Sequence, residues 1–443
     1  MTDESIGPWR HSVDFTLNDE QLDFQRTCRR FATEVIRPMA DRYDREQSVP
    51  WEALEAAREW KLHGTDLLMR MGSDPEGMLG VIYAEELHYG CAGIALAISG
   101  SGLAAAGIAA SGTPEQVGRW VPECYGEGDE IKLGAYAVTE AGAGSDVKSL
   151  RTTARLDEDT NEWVLNGTKV FITHGGIADV TVVVATVDPE LGHRGQASFV
   201  VAKDTPGFTQ GKKEDKIGIR ASHTAEVVLE NVRVPMDHLL GGKEKLDKKL
   251  ARARSGQKGG PSNALATFEI TRPMVGASAL GIARAAYEWT LAYLEGKSDE
   301  NGPLIEQQRV QQVLADVATE IEAARLLVYR AAWMGRSGKP MTGGQGSMSK
   351  LKAGDVTMWV TTELMDLVGP YAQTTDCPLE KWFRDAKIYQ LFEGTAQVQR
   401  LVISRMQRAD HRERSAGEAE VLSQGPGNAS GDVIEPEPDP AVA

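Results

Sequence analysis

The chain has 443 residues, and its 64 acidic side chains against 48 basic ones give a formal net charge of −16. That length accommodates several domains with their own cores, and 41% hydrophobic with 25% charged residues is the balance of a globular protein, not a disordered or fibrous one. The negative excess disfavours nonspecific binding to nucleic acid or an anionic membrane, and four scattered cysteines (Cys28, Cys91, Cys124, Cys377) without C-x-x-C spacing indicate neither a disulfide framework nor a zinc cluster.

A reducing cytoplasm is the expected location, since Met1 to His11 carries acids and lacks the apolar core of a signal peptide. Phe24, Cys28, Phe31 and Val35 then recur at helical spacing behind Thr16 and Asn18, two capping residues. A second helix is expected from a cap at Ser48 to a stop at Gly64, with Pro50 in its first turn and Trp51 and Leu54 facing inward. Gly93 to Ala110 is uncharged and close to membrane-span length. Its Gly, Ala and Ser residues gain too little by burial to drive insertion, so a packed interior helix with a turn is expected. Thr113-Pro114-Glu115 opens a short helix that Pro122 closes.

Near Leu133 the period changes to that of strands. Glu162 to Leu165 and Thr168 to Thr173 flank Asn166-Gly167, a dipeptide that favours a type I′ hairpin turn. Val180 to Val187, Ser198 to Ala202, Ala225 to Leu229 and Val232 to Val234 read as further strands of an antiparallel domain. Gly241 to Asn263 is polar and strongly basic, the pattern of a solvated loop or short exposed helix. Val310, Val313, Leu314, Val317, Ile321 and Val328 then form an apolar stripe on a helix reaching Met334. From Ser415 onward Gly, Glu, Asp and Pro dominate, a composition expected to stay disordered. The expected division is a helical domain at 15–134, a β domain at 135–240, a basic loop at 241–263, a helical bundle at 264–411 and an acidic tail at 412–443.

Several familiar motifs are absent or false. Gly296-Lys297-Ser298 imitates the end of a phosphate-binding loop, but the required earlier glycine is Leu291. Gly142-Ala143-Gly144 lacks the third glycine of a dinucleotide fingerprint, and neither G-x-S-x-G nor H-E-x-x-H occurs. Hydrolase and metalloenzyme readings therefore have no support, and no metal site is expected.

Three separated blocks remain: Tyr136-Ala-Val-Thr-Glu-Ala-Gly-Ala-Gly-Ser145-Asp146, Lys169-Val-Phe171-Ile172-Thr173-His-Gly-Gly176, and Arg384-Asp-Ala-Lys387-Ile-Tyr-Gln-Leu-Phe-Glu393-Gly394-Thr395-Ala-Gln397-Val-Gln-Arg400. In this order they resemble the acyl-CoA dehydrogenase family. Gly112-Thr-Pro-Glu-Gln116, Asn231-Val-Arg-Val-Pro235 and Thr271-Arg272-Pro273 extend the likeness over residues 15 to 410. The resemblance implies an N-terminal all-α domain, a middle antiparallel β domain and a C-terminal four-helix bundle. It also implies FAD as cofactor and removal of an α-proton and a β-hydride from an acyl-CoA thioester to give the trans-2-enoyl thioester. No side chain accepts a hydride and a thioester α-proton is weakly acidic, so such chemistry needs a redox cofactor, an adjacent base and hydrogen bonds to the enolate oxygen.

By this resemblance Glu393 is the base, with Gly394 allowing close approach of the thioester. Tyr136, Val138, Thr139, Gly144, Ser145, Phe171, Ile172, Thr173, Gln308, Thr395 and Gln397 would contact FAD, while Ser145, Glu269 and Arg272 would contact substrate. Considered alone, Glu393 also fits a solvated helix end, Phe171 a β-core aromatic and Arg272 an ordinary helix-start ion pair. Some relatives carry the base at the position of Thr271, and Glu269 is the weaker alternative. Ser99 to Ala106 has two readings, a lining of the acyl pocket and, the commoner use of such small residues, packing against another helix, so acyl length and branching are not read from it.

The chain departs from the family where each subunit clasps its neighbour's FAD: Gly296-Lys297-Ser298-Asp299-Glu300 and Asp366-Leu-Val-Gly369-Pro370 replace the usual segments, and of the clasp only Gln308 survives. Two readings stay open, a homo-dimer or homo-tetramer and half of a hetero-oligomer with a related chain. An electron-transferring flavoprotein is the implied electron acceptor. The rival functions are a non-catalytic or half-site subunit and another flavin enzyme, such as an oxidase, on the same scaffold. Lys243 to Lys258 is a candidate compensating site for the phosphates of CoA or FAD.

Overall fold

The computed structural model describes residues 16–128, 130–257, 263–336, 341 and 343–423. Asn18 starts helix α1 (Asp19–Phe31) with a capping box: its side chain accepts from the Gln21 N–H, and the Gln21 side chain accepts from the Asn18 N–H. A π-helical turn leads into α2 (Arg37–Glu46), then α3 (Trp51–Glu59) and α4 (Thr65–Ser73). The expected second helix is shorter than read. Gly64, with φ +131°, precedes α4 instead of ending α3, and Trp51 is 43% exposed. α5 (Met78–Gly90) is buried nearly all round, which is why it lacks an amphipathic pattern.

The uncharged stretch forms α6 (Ala92–Ser99) and α7 (Ser101–Ser111), broken at Gly100. Ala92–Ser111 is long and apolar enough to cross a membrane, but 61% of its most apolar window is packed inside the protein. Thr113 caps α8 (Pro114–Trp120) with a second capping box.

The strands are β1 (Gly134–Ala137), β2 (Thr153–Asp157), β3 (Glu162–Thr173), β4 (Val180–Thr186), β5 (Gln196–Ala202), β6 (Phe208–Lys213) and β7 (Thr224–Pro235). They form one sheet in the order β1-β4-β2-β3-β7-β6, with β5 also on β4. Most neighbours are antiparallel as expected, yet β1 and β2 pair with β4 in parallel, so the sheet is mixed.

Asn166-Gly167 is not a hairpin turn. The chain reverses at residues 158–161 between β2 and β3, and Asn166-Gly167 is a bulge inside β3. Gly167 has φ +152°, and a Cβ there would stand 2.4 Å from Thr152 Oγ1, so the glycine serves close packing of backbone on backbone. Opposite it, Asn231 (φ +53°) donates its N–H to Asn166 Oδ1 at 2.8 Å. The two strands expected at Ala225 to Leu229 and Val232 to Val234 are therefore one bulged strand.

The basic stretch contains helix α9 (Gly242–Arg254), not a loop. Lys243 pairs with Asp247 and Lys248 with Glu244 one turn apart, while Leu246 and Ala253 turn inward. Residues 258–262 of that stretch lie outside the described residues. The C-terminal region packs α10 (Asn263–Glu295), α11 (Gln308–Arg336), α12 (Gln345–Val368) and α14 (Ala396–Ser423) together, with the short strands β8 (Ser298–Asp299) and β9 (Gly302–Pro303) between α10 and α11 and helix α13 (Pro378–Ala386) after α12. α10 also lies along α5, joining the two helical regions. The expected tail begins later than residue 412, because α14 runs on through the Ala, Glu and Leu of its last turns, all good helix formers. Residues 424–443 lie outside the described residues.

Candidate functional site

The first two sequence blocks meet on a buried ion pair. Lys169 is fully buried in β3, and its ammonium donates to the Val138 carbonyl at 2.9 Å and to Glu140 at 2.8 Å. Glu140 also accepts from the N–H groups of Arg151 and Thr152 and from the Thr152 hydroxyl. Burial works to raise the Glu140 carboxyl, but the Lys169 charge and these donors hold it below the usual range. The same burial pushes Lys169 down to about 8. A further bond from the Val170 N–H to the Thr139 carbonyl zips the blocks together.

On this base stands an exposed turn. Val138 is buried, Thr139 half-buried, and Gly144 and Ser145 open to solvent. No atom would crowd a Cβ added at Gly142 or Gly144, so their backbone is accessible to a ligand. The Tyr136 ring is buried against α7. At the end of β3, a register shift between Lys169 and Ile172 turns Phe171 outward, with φ +59° and 64% exposure, while Ile172 stays in the core and Thr173 is half-buried. The reading of Phe171 as a β-core aromatic therefore fails, since its ring stands outside the core.

The third block ends in a strained turn. Glu393 has φ +51° and Gly394 φ +94°, and a Cβ on Gly394 would stand 2.4 Å from Gln399 Nε2. Gln399 donates to the carbonyls of Glu393 (3.2 Å) and Gly394 (3.1 Å), and Lys350 of α12 donates to Gly394 O at 2.8 Å. The Glu393 carboxylate accepts from the Thr271 hydroxyl at 2.7 Å. Burial raises the Glu393 pKa, opposed first by the Thr271 hydrogen bond and then by the charges of Lys350 and Arg272. Among the described residues the Glu393 N–H finds no acceptor.

Arg272 is 3% exposed and donates to Ser347 Oγ at 3.1 Å, so it is an interior residue bridging α10 to α12, well inside α10 and not at a helix start. Thr395 accepts from the Val398 N–H and caps α14, leaving Gln397 exposed. Gln308 is exposed at the start of α11. The Glu269 side chain lies outside what the structure describes. Sequence reasoning passed over Glu140, Thr271 as a partner, Lys350 and Gln399. The first and last stood inside the quoted blocks. Lys350 carried a readable signal, a charge on a helix face otherwise made of small uncharged residues such as Ser347, Ala353, Gly354 and Thr357.

The basic helix is largely spoken for. Lys249 donates to Gln196 O at 2.7 Å and Arg254 pairs with Asp188 at 2.9 Å, clamping α9 onto the segment Pro189–Gly195. In the region of the missing clasp, Lys297 Nζ lies 4.9 Å from the centre of the Tyr293 ring.

Three family descriptions match in chain order: "Acyl-CoA dehydrogenase, N-terminal domain" over residues 18–127, "middle domain" over 135–232 and "C-terminal domain" over 258–407. An acryloyl-CoA reductase (NADH) of Anaerotignum propionicum is 38% identical over 394 residues, covering 89% of this chain and 95% of that protein. Among solved structures, butyryl-CoA dehydrogenase from Megasphaera elsdenii is 35% identical with a TM-score of 0.79, covering 88% of this chain and 99% of that one. A chain from a study of the electron transferring flavoprotein of Acidaminococcus fermentans is 33% identical with a TM-score of 0.79, over 89% of this chain and 99% of that one.

Proposed function

This chain belongs to the acyl-CoA dehydrogenase family, and from that membership we propose that Glu393 abstracts the α-proton of an acyl-CoA thioester as the β-hydrogen leaves with its electron pair, giving the trans-2-enoyl thioester. The observation that carries this reading is the Glu393 turn: a carboxyl with a raised pKa, beside its own unengaged N–H. A base whose conjugate acid approaches working pH transfers protons efficiently, and burial moves a carboxylate in that direction.

The protein is an oxidoreductase with FAD as cofactor. When bound, FAD supplies the two-electron acceptor for the β-hydride. The residues present fit it: the outward Phe171 offers a flat aromatic wall, and the open backbone at Gly142 and Gly144 leaves room for a polar ring edge or a phosphate. Val138, Thr139, Gly144, Ser145, Ile172 and Thr173 are the proposed further contacts, and Tyr136 supports them from inside. Thr395 and Gln397 would meet the cofactor from the start of α14, and Gln308 from a neighbouring subunit. The Glu393 N–H would donate to the thioester carbonyl as negative charge develops on its oxygen. Thr271 holds the idle carboxylate, and Arg272 through Ser347 keeps α10 and α12 in register beneath it. Glu269, Ser145 and Gly394 are the proposed neighbours of the substrate.

An electron-transferring flavoprotein is the proposed acceptor and the cytoplasm the proposed location. Homo-oligomer and hetero-oligomer both remain readings of the altered clasp. Anaerobic bleaching of the flavin by a panel of acyl-CoA thioesters tests cofactor, reaction and acyl class together. Glu393→Gln should lower the bleaching rate by roughly 10³-fold while flavin content is kept. Undiminished bleaching would show that another group is the base.

A further inference from the structure

Lys350 lies in α12 with 1% exposure, and among the described residues its ammonium has one hydrogen-bond acceptor, the Gly394 carbonyl at 2.8 Å. A cation buried on a single neutral oxygen is poorly compensated unless an opposite charge stands near. The charges facing it are Glu393 on the turn before α14, Arg272 on α10 and Asp355 farther along α12. Asp355 is already engaged by Arg400 and Gln390, so Glu393 is the countercharge left to Lys350. The turn that Lys350 holds also needs holding, since a glutamate in the left-handed region persists only where its surroundings over-determine it.

Resting on the reading of Glu393 as base, we propose that Lys350 is a positioning residue for the reaction. It pins the Gly394 carbonyl and so aims the Glu393 carboxylate and N–H, while its charge favours the carboxylate form that can take a proton. Burial pushes Lys350 down to about 8, against the pull of Glu393. The ammonium is therefore present at neutral pH and lost as pH rises past that value.

The test replaces Lys350 with Met, close in length but uncharged, and with Gln, which keeps a donor. An arylacetyl-CoA has α-protons but no transferable β-hydrogen, so exchange of its α-protons into D2O reads the proton step alone. In flavin-loaded Lys350→Met this exchange and kcat/KM with a dehydrogenable acyl-CoA should each fall about 30-fold, with KM within about two-fold. The acid limb of kcat/KM should move up by about one pH unit, because the cation favouring the carboxylate is gone. Any alkaline limb near 8 should vanish. Lys350→Gln should fall between, and it carries the test on the same criteria if the Met variant does not hold flavin. Wild-type exchange and an unmoved acid limb in either folded variant would overturn the proposal. Wild-type exchange in Glu393→Gln would instead remove the base reading on which it rests.

Discussion

Two glutamates in different neighbourhoods are shifted in opposite directions. Glu85 of α5 meets Arg284 at 2.7 Å and Arg325 at 3.0 Å, and although burial works to raise its pKa, the two guanidinium charges bring it below the usual range. Beside it Glu86 meets the other branch of Arg284 and Arg29. Glu393 is half-buried, its carboxylate accepts from a neutral hydroxyl, and of the nearby cations Lys350 donates to a carbonyl and Arg272 to Ser347. The result is a raised pKa. Direct arginine pairing makes a carboxylate a fastener between helical regions. Withholding it leaves a carboxylate able to accept a proton.

The largest expected effect that would break this contrast is on stability. Glu85→Gln leaves Arg284 and Arg325 short of a countercharge in the interior and should cost about 3 kcal/mol, read as a lower urea midpoint of the flavin-loaded protein, with kcat little changed. A stability loss near zero would mean that the network is incidental. Glu393→Gln should show the reverse, with activity lost and the urea midpoint held.

An intermediate effect comes from acid. His88 lies on α5 between the two regions, edge-on to Tyr389, and burial lowers it to about 4, as it does His63 and His174. Their folded pKa lies below the unfolded value, so the unfolded chain binds more protons between pH 6.5 and 4 and stability falls with pH across that window. Each should contribute on the order of 1–3 kcal/mol. Glu85, held below the unfolded value of 4.5, adds to the same fall only at the acid end of that window. Melting midpoints from pH 7 to 4.5 should fall, and less steeply in His88→Gln. A flat profile would contradict neutral burial.

The smallest effect sharpens the site itself. Thr271→Val removes the hydroxyl that opposes the raised pKa of Glu393, so the acid limb of kcat/KM should rise by less than one unit. An unmoved limb would mean that the bond is not made in solution.

Much of the scaffold was legible because it is local. Asn18 with Gln21 and Thr113 with Gln116 announce their helices through groups three residues apart, and the stripe from Val310 to Val328 marks the inner face of α11. Asn166-Gly167 misled for an instructive reason: its preference for unusual φ is real, but the bulge it makes is required by Thr152 and Asn231 on neighbouring segments. Of the two readings of the basic stretch the helix holds, and the tail begins later than expected, since Lys, Ala, Glu and Leu propagate a helix whether or not the face is polar.

Near neighbours and periodicity were enough for the order of domains, the starts of α1 and α8 and the three blocks that identify the family. Tertiary structure alone decided that Phe171 faces outward, that Lys169 and Glu140 neutralise each other, and that Glu393 is a strained, pKa-raised carboxyl. The charge state of Glu393 depends on what surrounds it within a few ångströms, and Thr271, whose hydroxyl holds it, is 122 residues away along the chain. Desolvation and hydrogen bonding act through space, and no local pattern records which distant segments fold against one side chain.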